Sequence, residues 1–292
     1  MKPYMTRSTL VRSAFACIPS HWMFRVSPVH TALSRSSFQI RTELRVSLCC
    51  IHSLVLPVVL TIGALCAVLV DVAAQTKTTD SHTAEQAATL ARATAVRDAF
   101  VARIHADGFS CPIPVPTILV EDVPSFGQYD EKTNIIRTSD WTLLNPEERA
   151  FFFRLSGPEA KEADVHRTFE QGAHGWIFIH ELGHWWQACR SVASDRGPYQ
   201  VEYGADCISL AYWREVDPAI VDTMMPIFKN VLANAPNPVP AGEDVEAYFN
   251  KHYQELGPSP AYPWFQSRMN VTAYDEKPAP TFAQALLNPF GN

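Results

Sequence analysis

The sequence predicts an α+β domain, mostly helical, with a small strand and hairpin region ahead of its most apolar charged helix. Three observations carry that expectation. Apolar residues recur at helical spacing in several segments between 83 and 256. Strand-like composition is confined to about 117–138, where a polar turn separates short apolar runs. No βαβ alternation and no internal repeat is visible, which sets aside a parallel α/β fold.

The elements follow in order. Thr83 to Ala106 places Leu90, Ala93, Val96, Phe100, Val101 and Ile104 on one helical face, with Gly108 as its stop. Three prolines in Cys111-Pro-Ile-Pro-Val-Pro demand an extended chain. Thr117–Val123 reads as a strand. Gln128-Tyr129 and Asn134–Arg137 flank the polar turn Asp130–Thr133 and read as a hairpin. Asn145-Pro146-Glu147-Glu148 starts a helix with a cap, a first-turn proline and acids on the helix dipole. Helical segments are predicted at 158–171, with a break near Gly172, then at 173–189 and 199–216. Asp217-Pro218 opens another, fading at 234–242. Glu243–Leu256 is closed by Gly257-Pro258, and the tail reads as proline-broken pieces.

The ends of the chain differ in charge. Residues 1–74 hold seven Lys/Arg and two acids, which leaves 17 basic and 28 acidic residues for 75–292. Val46–Val70 contains no Asp, Glu, Lys or Arg and follows Arg41 and Arg45. Val72 and Ala74 fit a signal-peptidase site. Residues 46–74 therefore read as a signal peptide or a membrane anchor, with possible membrane association through 46–70. Both readings export the rest of the chain, to a periplasmic, extracellular or outward-facing anchored location. The leader 1–45, basic and rich in Ser and Arg, reads as disordered or as a start assigned too far upstream. Residues 75–292 form the expected single domain. Its acidic balance and lack of a Lys/Arg stripe argue against nucleic acid as a partner.

The chemistry concentrates in Trp176-Ile-Phe-Ile-His180-Glu181-Leu-Gly-His184-Trp-Trp186, which contains H-E-x-x-H. Residues four apart on a helix stand one above the other, so His180 and His184 can aim ring nitrogens at one cation. Glu181 is rotated off that line and can reach an activated water as a general base. Chance would supply this motif in roughly one chain in a hundred of this length and composition. Gly183 leaves room for another backbone. Eighteen residues on, Glu202 and Asp206 are again four apart on a helical segment, with Ala205 small enough for close helix contact. Glu202 can reach the metal as third ligand, and Asp206 can hold the ring N–H of a ligating histidine.

H-E-x-x-H followed by E-x-x-x-D resembles the gluzincin class of zinc metallopeptidases, over His180–His184 and Glu202–Asp206. The resemblance implies a zincin-like fold for 75–292 and Zn2+ as cofactor. His180, His184 and Glu202 would be its ligands, Glu181 the base and Asp206 the orienting acid. The implied partner is a peptide or protein substrate, lying antiparallel to the hairpin strand. Tyr199, Tyr203, His252, Tyr253 and Arg268 are the possible oxyanion donors. The alternative is a catalytically inactive zincin-fold metal-binding or scaffold protein; the presence of Glu181 favours the enzyme.

The remaining features take plainer readings. His174 is expected in a loop or on the surface, and Trp176, Trp185 and Trp186 in the core or a cleft wall. Asn270-Val-Thr has the glycosylation pattern. Among the three cysteines of the body, Cys189 and Cys207 are the favoured disulfide pair.

Overall fold

The computed structural model describes residues 83–291 except 158, 191–195 and 258. All of these belong to one contact unit, Val59–Asn292; the other, Met1–Val58, has no described residue. The leader 1–45 and the apolar run 46–74 lie outside the described residues. Among those described, no helix is long and apolar enough to cross a membrane.

The first helix, α1 (83–106), stops at Gly108, whose φ of +84° lies in the left-handed region. There Phe109 N–H reaches back to the Ile104 carbonyl at 3.0 Å, satisfying an end carbonyl the helix leaves open. The proline stretch leads into β1 (Thr117–Val120), shorter than the predicted strand. The hairpin follows as β2 (Gly127–Asp130) and β3 (Ile135–Thr138). The sheet order is β1-β3-β2, with β1 parallel and β2 antiparallel to β3. β2 is thus an edge strand. Arg137 faces Gln128 and Ile136 faces Tyr129 in its register.

Eight helices complete the described chain. α2 (Pro146–Ser156) begins with a reciprocal cap: Asn145 Oδ1 accepts from Glu147 N and Glu148 N, and Glu148 Oε2 accepts from Asn145 N. α3 (Glu162–Phe169) does not break near Gly172 as predicted. It widens into a π-helical stretch, Glu170–Ile177, that runs straight into α4 (Phe178–Cys189). Phe178 N–H bonds to the Ala173 carbonyl five residues back, which keeps the backbone satisfied through the glycines. α5 (Pro198–Val216), α6 (Pro218–Asn234) and α7 (Val245–Leu256) lie close to their predicted bounds. The tail is more regular than expected, with a 14-residue α8 (Tyr262–Asp275) and α9 (Phe282–Leu287).

Burial fixes the arrangement. α4 is buried on nearly every side, through Phe178, Ile179, Leu182, Trp185 and Trp186, as a helix apolar around its circumference must be. Trp176, just before α4, is a core residue with Trp185 and Trp186. α5 crosses α4 at Gly183, where a Cβ would stand 3.1 Å from Ala205 Cα. The paired small residues let the two backbones meet. β2 presses on the junction of the π-helical stretch and α4: a Cβ at Gly127 would stand 2.6 Å from Ile177 Cγ2. A separate cluster of Phe249, Trp264, Phe265 and Met269 binds α7 to α8.

The disulfide joins Cys111 to Cys189, with Cα atoms 5.2 Å apart, rather than Cys189 to Cys207. Cys207 is buried and free. Cys189 ends α4 facing the proline stretch, where Trp185 Nε1 also donates to the Pro114 carbonyl at 3.1 Å. Bridging residues 78 apart stabilises the fold by about 4 kcal/mol in the chain-entropy account. Cys111→Ala is accordingly expected to lower the denaturation midpoint substantially under oxidising conditions and leave it unchanged under strong reductant. Equal midpoints for wild type and variant under oxidising conditions would refute the bridge.

Candidate metal centre

α4 and α5 carry the side chains that meet in a buried polar centre. On α4, His180 and His184 project from one face, with Nε2 atoms 3.0 Å apart. From α5, Glu202 Oε2 comes within 3.2 Å of His180 Nε2 and 3.7 Å of His184 Nε2. Asp206, one turn further along α5, lies on the other nitrogen of the first ring: His180 Nδ1–H donates to Asp206 Oδ1 at 2.8 Å. His180, Glu181, Glu202 and Asp206 are all buried.

Both rings are held by their far nitrogens. An ionised Asp206 only accepts, so the proton of a neutral His180 ring sits on Nδ1. His184 Nδ1 faces Gln187 Oε1 at 2.9 Å. The Nε2 edges are left to face each other and Glu202. Their separations of 3.0, 3.2 and 3.7 Å bracket the edge of about 3.3 Å in a tetrahedron built on zinc bonds of 2.0–2.1 Å. The donor set thus fits a small N/O-liganded cation. His180, Glu181 and His184 form a cluster whose donor atoms all lie within 4.8 Å of one another and could hold a metal ion. Glu202 and Glu181 compete for the place of a carboxylate ligand. Glu202 lies against both Nε2 atoms, while Glu181 Oε2 is engaged elsewhere, accepting from Tyr129 N at 2.7 Å.

That last bond joins the centre to the sheet edge. Tyr129 sits opposite Ile136 in the β2–β3 register, and its N–H points off the sheet toward α4. Gly127, two residues earlier, permits this approach, since a Cβ there would also lie 3.4 Å from Glu181 Cγ.

The charges are strongly coupled. Burial pulls the His180 pKa down, but Asp206 and Glu202 outweigh it and hold it well above the ordinary value. Burial likewise disfavours the Glu202 carboxylate, yet the two histidines keep its pKa well below the usual range. The Asp206 pKa is raised, chiefly by burial. The pocket favours an ionised Glu202 beside protonated histidines.

Glu202 has further partners that the sequence did not reveal. Tyr253 of α7 donates its hydroxyl to Glu202 Oε1 at 2.7 Å, and Gln266 of α8 donates Nε2 to Oε2 at 3.0 Å. Gln266 also donates to the Tyr262 hydroxyl at 2.8 Å. The Glu202 charge, then burial, push the Tyr253 pKa upward, so its hydroxyl keeps its proton. Of the five expected oxyanion donors, only Tyr253 bonds directly to this cluster. The Tyr203 hydroxyl donates to Glu276, His252 pairs with Glu255, Arg268 lies over Trp264, and Tyr199 stacks on Tyr203.

One expectation elsewhere is corrected, and the glycosylation pattern is placed. His174 is buried in the π-helical stretch, not in a loop or on the surface, and its Nε2 lies 2.7 Å from the Ser139 carbonyl. Asn270 is buried and accepts from Trp176 Nε1 at 3.0 Å, so the folded chain offers no glycan acceptor there.

The site defined so far is a buried two-histidine, carboxylate-supported centre beside the β2 edge of the sheet. No protein-family model, curated protein or solved structure matches the chain significantly.

Proposed function

We propose that the protein is an exported zinc-dependent metallopeptidase of the zincin type. The observation that carries this reading is the convergence of His180 Nε2, His184 Nε2 and Glu202 Oε2 within 3.7 Å, with the Glu181 carboxylate beside them at a sheet edge. His180, His184 and Glu202 would hold the metal, and Asp206 would orient the His180 ring. Glu202 is preferred to Glu181 as ligand because it faces both Nε2 atoms and Glu181 is turned to Tyr129 N. Bound zinc supplies a Lewis acid that polarises the scissile carbonyl and lowers the pKa of water toward about 7.

The chain's own groups do the rest. Glu181 takes the proton of the attacking water and passes it to the leaving amine. A substrate would lie as an added strand beside the edge strand β2, displacing the Glu181 carboxylate from Tyr129 N–H. Tyr253, whose one hydroxyl proton is now given to Glu202 Oε1, would have to turn from that carboxylate to meet the developing oxyanion. The Cys111–Cys189 bridge supports an oxidising compartment, in keeping with export.

Chelation tests this reading. A strong chelator is expected to abolish hydrolysis of a mixed quenched-fluorescent peptide set, and added zinc to restore it. Cleavage that persists after the metal has been removed would contradict it.

A further inference from the structure

We infer that Gln187 is the positioning residue that sets the tautomer of His184, and that the C-terminal strap 286–291 helps set Gln187 in turn. The inference rests on the metal-site reading above and assigns a role to a residue the H-E-x-x-H motif does not contain.

Gln187 is buried one turn beyond His184 on α4. Its amide makes three contacts. Nε2 donates to the Val201 carbonyl at 2.8 Å and to the Pro289 carbonyl at 2.6 Å, and Oε1 lies 2.9 Å from His184 Nδ1. The two ends of a glutamine amide are told apart only by their partners. Here the partners decide. Backbone carbonyls accept and never donate, so the NH2 must face Val201 and Pro289. Oε1 is thereby turned to His184 and can only accept. The proton of the neutral His184 ring must then sit on Nδ1, which leaves Nε2 bare on the side where His180 Nε2 stands 3.0 Å away.

The first carbonyl belongs to α5, next to Glu202. The second belongs to the strap, which is built to stay in place. Trp186 Nε1 donates to the Leu286 carbonyl at 2.9 Å. Gly204 of α5 has no room for a side chain beneath Pro289 and Phe290, since a Cβ would stand 2.5 Å from Phe290 Cα. The end of the chain therefore reaches the metal centre through one side chain. His180 has its acid on α5, and His184 has this amide; the two rings are oriented by independent devices.

Two substitutions separate the positioning role from a structural one. Gln187→Met removes both the acceptor for His184 and the donors to the carbonyls. Gln187→Glu keeps an acceptor for Nδ1–H but faces the two carbonyls with a carboxylate. Zinc affinity is read by competition with a chromophoric chelator, and stability by thermal unfolding of the metal-free full chain. Gln187→Met is expected to weaken zinc binding about 10–100-fold, while Gln187→Glu, although destabilised, retains affinity close to wild type. Affinity that is unchanged in Gln187→Met, or that falls equally in both variants, would overturn the inference.

Should either variant fail to fold, nitrogen-15 NMR of the zinc-loaded wild type decides directly. A proton on His184 Nδ1 with Nε2 coordinated is expected; coordination through Nδ1 would overturn the inference and leave the metal reading standing. A wild-type chain that takes up no zinc at all would remove the metal reading and this inference with it.

Discussion

Replacing Glu181 with glutamine is expected to leave fold and metal content unchanged and to lower peptide hydrolysis by about 10²–10⁴-fold. The substitution is nearly isosteric. An amide oxygen can still accept from Tyr129 N, the partner now held by Glu181 Oε2 at 2.7 Å, so β2 and α4 need not move apart. The amide cannot take a proton from water or return one to an amine. Neither histidine nor Glu202 is touched, so metal binding should persist. The measurements are kcat on a quenched-fluorescent peptide set and zinc content by atomic emission on the same preparation. Turnover equal to wild type would remove Glu181 from the mechanism. Loss of metal along with activity would make Glu181 a ligand and return the competition between the two acids to open question.

The second large effect concerns the third ligand. Glu202→Ala is expected to abolish stoichiometric zinc binding, whereas Asp206→Ala should weaken it about 10–100-fold. Glu202 Oε2 lies on the Nε2 side of both rings, while Asp206 Oδ1 meets only Nδ1 of His180. Removing Glu202 also takes the acceptor from the half-buried Tyr253 hydroxyl and one of the two acceptors from the Gln266 amide, at a cost of about 1 kcal/mol for the hydroxyl left unpaired. Glu202→Gln separates the two effects. It preserves an acceptor for Tyr253, so it should stay folded while binding zinc far more weakly than wild type. Metal retained in Glu202→Ala but lost in Asp206→Ala would move the ligand to Asp206.

The parts of the centre that were legible in the sequence are those written in helical spacing. His180 and His184 lie four apart, as do Glu202 and Asp206, and the small residues Gly183 and Ala205 mark where the two helices touch. The cap at Asn145 and the stop at Gly108 were legible for the same reason, since both are local chemistry. What lay hidden depends on chain folding over longer distances. Gln266 reaches Glu202 across 64 positions and Tyr253 across 51, through the aromatic packing of α7 on α8. Gln187 had a local signal, three residues beyond His184 on the same helix face, that was passed over. Cys189 pairs with Cys111, 78 positions away, and no spacing rule selects that partner over Cys207. Two errors came from treating breakers as absolute. Pro263 falls in the first turn of α8, where no intrahelical N–H is needed. Gly172 and Gly175 lie inside a π-helical stretch whose backbone stays bonded. His174 looked exposed because its partner, the Ser139 carbonyl, follows a strand 35 positions earlier.

The most direct test of the central claim is a metal count on the purified, folded wild-type chain, set beside Glu202→Gln prepared in the same way. The convergence of His180, His184 and Glu202 predicts about one zinc ion per wild-type chain, removable by a strong chelator, and a small fraction of that in the variant. A folded wild-type chain without stoichiometric divalent metal, even after incubation with excess zinc, would contradict it.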